Sequence, residues 1–385
     1  MNKIVIVIDS FKGCLTSSEV IQAATDGILQ IDPFCEVVQI PISDGGEGLL
    51  ATLFPLFKAQ KRTISAHGPL MELIQGEYGI SYDGKTALIE MAKVNGLPLV
   101  PKDKRDPMYT TTYGTGELIY DALEQGCRNF IIGIGGSATN DAGLGMLQAL
   151  GFRFLDKEGN LLGTGGQILS KVAQIDRSEI HPALATTHFT IACDVKNPFC
   201  GPNGAAYIFA SQKGATPETI RELDKGMQSF SQVILSEIGI NIIDYPGAGA
   251  AGGLGGGFMA FLHAELKSGI QLILETLHFE EQIKDADLII TGEGKMDQQT
   301  IMGKVPFGIL QVAQKQQIPV IAIAGSIEDI ELLNKAGFQG VFSITPKPIS
   351  LEKAMEPNMA QKHIRQLVSQ IFSTIHSVKN HFGCK

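Results

Sequence analysis

Two rhythms of apolar residues run through this chain. Near both ends, short unbroken apolar runs recur: residues 3–8 (KIVIVI), 36–42 (EVVQIPI), 286–291 (ADLIIT), 318–324 (IPVIAIA) and 340–344. Unbroken Ile/Val-rich runs predict strands buried on both faces, as in a parallel sheet. Between the first two runs, Val20, Ala24, Ile28 and Ile31 recur at helical spacing, behind Thr16 and Glu19 in capping-box positions. Polar segments follow the runs, at residues 9–13, 44–48 and 292–298 and at Gly325-Ser326, and one or two helices over 352–378 close the chain. Strand, polar loop and helix in this order predict βαβ units, so the two ends read as one doubly wound sheet.

The middle has a different pattern. Residues 78–82 and 86–89 flank Asp83-Gly84, and Asp-Gly between β-like runs predicts a hairpin. Helices are expected over 116–125 and 217–237, the latter with Thr216 as N-cap and Pro217 in the first turn. Strands are expected over 130–134 and 188–193. The expected organisation is α/β: one domain from residues 1–66 and 280–385, and a second α/β domain, 67–279, inserted between them.

Length and composition agree. At about 150 residues per domain, 385 residues predict two or three domains. With 44% hydrophobic and 18% charged residues, a large core is available and global disorder is excluded. Net charge is −9, from 31 basic and 40 acidic residues, which argues against nucleic-acid binding. No apolar run reaches the roughly 18 residues of a membrane span. The N-terminus reads as a strand rather than a secretory signal. Six cysteines without CxxC spacing read as reduced thiols of a cytoplasmic protein, and eight histidines show no metal-ligand spacing. Glycine is in excess: 44 residues, against an average near 7% of a chain.

Three glycine patterns carry little weight. Residues 79–86 match GxxxxGK[ST], but a P-loop needs a strand before it and a helix after it, and here the hairpin is expected. Residues 247–252 match GxGxxG and 133–138 its GxGxxA variant, without a convincing acidic partner closing a second strand. A nicotinamide-dependent oxidoreductase is therefore the weaker alternative, and a non-catalytic sensor of an organic acid a third.

The stronger signal is collective. Five loops after expected strands pair charged residues with glycine or amides: Asp9/Lys12/Gly13, Asp44–Glu47, Gly135–Asp141, Asp194/Lys196/Asn197 and Glu293–Asp297. In open α/β sheets ligands bind beyond the carboxyl ends of strands. Glycine lets backbone N–H groups approach phosphate, carboxylates hold Mg²⁺, and lysines offset phosphate charge. Together these suit phosphoryl transfer.

These stretches resemble the bacterial glycerate kinase family, type I, also called glycerate 2-kinases. The matching motifs are DSFKG (9–13), SDGGEG (43–48), GTGELI (114–119), GIGGSATNDAGLGMLQALG (133–151), ACDVKNPFCGPNGAA (192–206), SQKGA (211–215), GAGAAGGLGGG (247–257) and ADLIITGEGKMDQQTIMGK (286–304). Ser43 replaces the family's usual alanine, and Ala142 stands where glycine is common. The resemblance implies ATP-dependent phosphorylation of D-glycerate to 2-phosphoglycerate in a cleft between a flavodoxin-like domain and a second α/β domain. Phosphorylation of the 3-hydroxyl stays open, as does a homodimer. On that reading Asp194, then Asp297, are the candidate bases, with Lys12 and Lys304 balancing phosphoryl charge. Asp44 and Asp9, with Glu293 in reserve, are the expected Mg²⁺ ligands. Asp9, Ser10, Lys196 and Asn197 would hold the substrate. Gly135, Gly136, Ser137 and Thr139, with Gly252, Gly253 and Gly255, would meet the nucleotide.

Overall fold

The computed structural model describes residues 3–42 and 49–382. The chain divides into two compact units: Met1–Glu47 with Ile270–Lys385, and Gly48–Gly269. The first break precedes the expected one at 66/67. The reason is β3 (Gln60–His67), which is hydrogen-bonded along its whole length to β4 (Leu73–Ile80) of the second unit. The second break, at 269/270, likewise precedes the expected 279/280.

With strands numbered along the chain, the first unit holds β1 (Lys3–Ile6), β2 (Glu36–Gln39), β11 (Leu288–Met296), β12 (Val320–Ile327) and β13 (Gly340–Ser343). All pair in parallel, in the order β13-β12-β11-β1-β2. Counted within the unit this is the 2-1-3-4-5 order of flavodoxin-like folds, whose ligand crevice lies where the order reverses, here between β1 and β11. The helix Ser17–Leu29 starts with the expected capping box: Thr16 Oγ1 accepts from the Glu19 N–H, and the Glu19 carboxylate accepts from the Thr16 N–H. It packs on the closing helix Pro357–Phe382 so tightly that a Cβ at Gly27 would lie 2.7 Å from the Arg365 carbonyl oxygen. Ile4, Ile6, Ile290, Ile323, Ile364 and Val368 form the core between sheet and helices.

One element departs from expectation. Residues 292–298 were expected as a loop, yet β11 runs on to Met296, because its ladder with β12 continues through Glu293↔Ala324 to Met296↔Ile327. Cross-strand pairing outweighs the low strand preference of Gly-Glu-Gly-Lys.

The second unit contains a six-stranded sheet, β10-β9-β6-β5-β4-β3. Here β5 is Thr86–Glu90, β6 Asn129–Gly133, β9 His188–Ala192 and β10 Glu265–Lys267. The last four strands named pair in parallel, whereas β3, β4 and β5 form an antiparallel meander. A two-stranded ribbon, β7 (Arg153–Leu155) with β8 (Gln174–Asp176), lies apart from it. Phe130 and Phe189 stack at 4.9 Å within a core that also buries Ile132, Leu254 and Phe258. No helix among the described residues is long and apolar enough to cross a membrane.

The hairpin between β4 and β5 decides the P-loop pattern. Gly79 pairs with Leu88 and Ile80 with Ala87, and Gly84 turns the chain at φ 70°. A strand stands where a phosphate-binding helix would have to begin. Lys85 is exposed at the turn. Lys85→Ala should therefore leave any nucleotide affinity unchanged by calorimetry.

Candidate active site

In the first unit the chemistry gathers at the carboxyl end of the parallel sheet. Beyond β1 the chain keeps its extended pairing with β11: the Val7 N–H donates to the Ile290 carbonyl at 2.9 Å and the Asp9 N–H to the Gly292 carbonyl at 3.0 Å. That register carries Asp9 to the crevice beside Glu293. Asp9 is buried, and its Oδ1 accepts the Ser10 N–H at 2.6 Å. The next residues close a tight turn in which the Phe11 and Leu15 N–H and carbonyl groups bond reciprocally, leaving Lys12 exposed.

Glu293 is also buried. Its Oε1 accepts from the Thr300 hydroxyl at 2.6 Å, and Lys304 Nζ lies 3.3 Å from Oε2. Burial pushes the Glu293 carboxyl above its usual range; Thr300 and Lys304 oppose this, and the charge of Asp9 adds to it. Lys304 is the N-cap of the helix Val305–Lys315, whose free N–H groups favour an anion nearby. A cavity of ≈ 690 Å³ elsewhere, in the second unit, has Lys225 and Asp244 as its charged lining. The crevice here encloses ≈ 520 Å³ and brings together Asp9, Ser10, Lys12, Glu293 and Lys304, with Ser326 on one side and Leu351 and Met355 as an apolar wall. Two carboxylates facing two lysines can bind a polyanion with its cation and hold or release a proton.

The other expected residues lie elsewhere. Asp297 does not line this crevice; it directly follows β11, ahead of the turn Thr300–Met302, and its Oδ1 accepts the Gln299 N–H at 2.9 Å. Burial raises its proton affinity, but that N–H, Lys304 and Lys295 outweigh burial and hold the carboxyl below its ordinary range. Asp44 lies outside the described residues.

In the second unit, Asp194 and Lys196 are exposed on the loop after β9, and Asp194 Oδ1 accepts the N–H of Gly269, the first residue of a helix, at 2.9 Å. Asn197 is engaged structurally: its amide donates to the Asn203 carbonyl at 2.9 Å, and its carbonyl accepts the Gly249 N–H at 3.0 Å. Gly135 and Gly136 are exposed just beyond β6, and a Cβ at Gly135 would touch nothing within 4 Å. Ser137 and Thr139 are buried beneath them.

Gly252, Gly253 and Gly255 are buried as well. A Cβ would lie 2.1 Å from the Thr139 oxygen at Gly252, 2.7 Å from Met227 at Gly253 and 2.4 Å from the Gly247 oxygen at Gly255. Close packing accounts for these glycines, which lie in the interior of the second unit.

Sequence reasoning passed over three residues that organise these regions: Thr300, Asp141 as a fully enclosed carboxylate, and Lys213. Lys213 stands in the quoted SQKGA stretch, but nothing local marks it as buried. Its burial follows only from the fold.

The glycerate kinase family profile matches residues 4–376. The chain belongs to the glycerate kinase family. It is thereby a phosphotransferase. It is 48% identical over 353 residues to a glycerate 2-kinase of Escherichia coli K12, covering 91% of this chain and 93% of the relative. It is 46% identical over 357 residues to a glycerate kinase of Halalkalibacterium halodurans, covering 92% of this chain and 94% of the relative. Among solved structures, one described as a glycerate kinase 2 from Salmonella typhimurium LT2 superposes with a TM-score of 0.82 at 41% identity, covering 98% of this chain and 99% of that one. The family match and the fold agree with the α/β reading of the sequence.

Two outcomes test this description. The Glu293 pKa is raised by folding, so the stability this carboxyl lends is complete below its unfolded value, about 4.3, and lost as pH rises through the folded value. Glu293→Gln should raise the melting temperature at pH 7 and leave it unchanged at pH 4. Gly252→Ala, at φ 69° and against the Thr139 backbone, should cost at least about 1–3 kcal/mol in urea unfolding.

Proposed function

We propose that this glycerate kinase transfers the γ-phosphoryl group of ATP to the 2-hydroxyl of D-glycerate, with Mg²⁺. The observation that carries the reading is the switch-point crevice, where buried Asp9 and Glu293 face Lys12 and Lys304. Such a site suits a transfer in which the protein's work is positioning and charge stabilisation. The 2-position follows the name of the Escherichia coli relative.

Each group has a role. Lys12 and Lys304 balance the charge of the transferring phosphoryl group. Asp9 and Glu293 supply oxygen donors suited to a hard cation that keeps most of its water, and Asp44 is the further candidate ligand. Mg²⁺ would lower the electrostatic cost of bringing the hydroxyl to the phosphate. Ser10 orients Asp9 through its N–H. In the second unit, Gly135 and Gly136 offer N–H groups to the nucleotide phosphates, Lys196 receives the glycerate carboxylate, and Asp194 accepts the hydroxyl proton. Asp194 is preferred over Asp297, whose carboxylate is held below its ordinary range by its partners.

Coupled ADP release should require D-glycerate, ATP and Mg²⁺ together, and phosphorus NMR should show 2-phosphoglycerate; a 3-phosphoglycerate signal would move the acceptor. Asp194→Asn should lower kcat by about 10²- to 10⁴-fold with ATP affinity kept. Turnover within tenfold of the parent would remove Asp194 from the role.

A further inference from the structure

Lys213 is a lysine with almost no access to water: it is 2% exposed. It ends the short turn Ser211–Lys213, and the chain beyond it is locked, because Gly214 sits at φ 98° where a Cβ would lie 2.0 Å from the Arg105 carbonyl oxygen. Its ammonium group donates to Ser137 Oγ at 2.8 Å and to the Thr139 carbonyl at 2.6 Å. Among the described residues no carboxylate forms an ion pair with it. The nearby acid, Asp141, is itself enclosed and already accepts the Thr112 N–H at 2.8 Å, the Thr112 hydroxyl at 2.9 Å, and the Gly143 and Gly145 N–H groups at 3.2 Å. The Ala138 carbonyl and N–H are held too, by the Thr110 hydroxyl at 2.8 Å and the Asn95 carbonyl at 2.9 Å.

Residues 137–141 are thus clamped from below while Gly135 and Gly136 stand exposed above them. A buried ammonium bonded only to neutral oxygens is a poor source of stability. Burial accordingly draws its pKa down to about 7, against the pull of Asp141. Its placement makes sense as a positive charge and a brace beneath a loop that meets an anion.

We infer that Lys213 is a positioning residue for nucleotide binding: it braces Ser137 and Thr139 so that Gly135 and Gly136 hold their N–H groups towards the phosphates. This rests on the proposed nucleotide role of the Gly135–Gly136 turn, so that role is tested alongside it. Lys213→Met keeps an unbranched side chain, one atom shorter, and removes its charge and donors. The full-length variant should bind ATP about 10- to 100-fold more weakly by calorimetry. Its KM for ATP should rise accordingly, while the KM for D-glycerate is unchanged and the melting temperature stays at or above the parental value. A brace that serves only folding would give the opposite split, a lower melting temperature with ATP affinity unchanged, and would overturn the inference. Gly135→Val, whose Cβ would meet no protein atom within 4 Å, tests the loop. If it weakens ATP binding and Lys213→Met does not, Lys213 has no such role; if Gly135→Val binds ATP normally, the loop reading fails and the inference with it. Should Lys213→Met not fold, Ser137→Ala removes one of the two acceptors, and unchanged ATP affinity there overturns the brace.

Discussion

The ladder between β1 and β11 is the contact on which the crevice of the first unit depends. Because the two strands run parallel, both release their chains at the same edge, and the pairing persists one step beyond β1 to the Asp9 N–H. β12 grips the other side of β11 as far as Met296. Glu293 is thus a strand residue with a backbone fixed on both sides, not a loop residue free to turn into water. A carboxylate held in that way must be compensated, and Thr300 and Lys304 supply the hydrogen bond and the charge.

Enclosed charge recurs in the second unit with a different solution. Asp141 is satisfied by backbone and hydroxyl donors, and Lys213 by neutral acceptors. Neither arrangement favours folding as much as an apolar core of the same volume would. Both units therefore hold buried charge next to glycines near the carboxyl ends of parallel strands. The crowded glycines of the helix Ala250–Leu262 let that helix press against the backbone of residues 139–142.

Local features were legible in the sequence. The capping box at Thr16 and Glu19, the Asp83-Gly84 hairpin and the N-cap at Thr216 each depend on a few neighbouring residues, and each forms as its pattern implies. The Ile/Val runs near the ends declared a buried parallel sheet for the same reason, since burial on both faces tolerates no polar alternation. Of the five charged segments, two supply Asp9, Lys12 and Glu293, which share one crevice with Lys304. Less legible were features set by distant partners. The sequence of 292–296 looks like a loop until β12 pairs with it, and residues 60–67 look detachable from the second unit until β4 pairs with them.

What the chain determined by itself was therefore the inventory: which segments become strands and helices, which loops carry charge, and which family the motifs place it in. Only the tertiary structure decided which of those charges share a crevice, which glycines are exposed and which are walled in by backbone, and that Lys213 is buried. The physical reason is range. Caps, turns and apolar runs are stabilised by contacts a few residues apart, whereas the proton affinity of Glu293, the enclosure of Lys213 and the space around Gly252 are set by atoms brought from 7 to 284 positions away by folding.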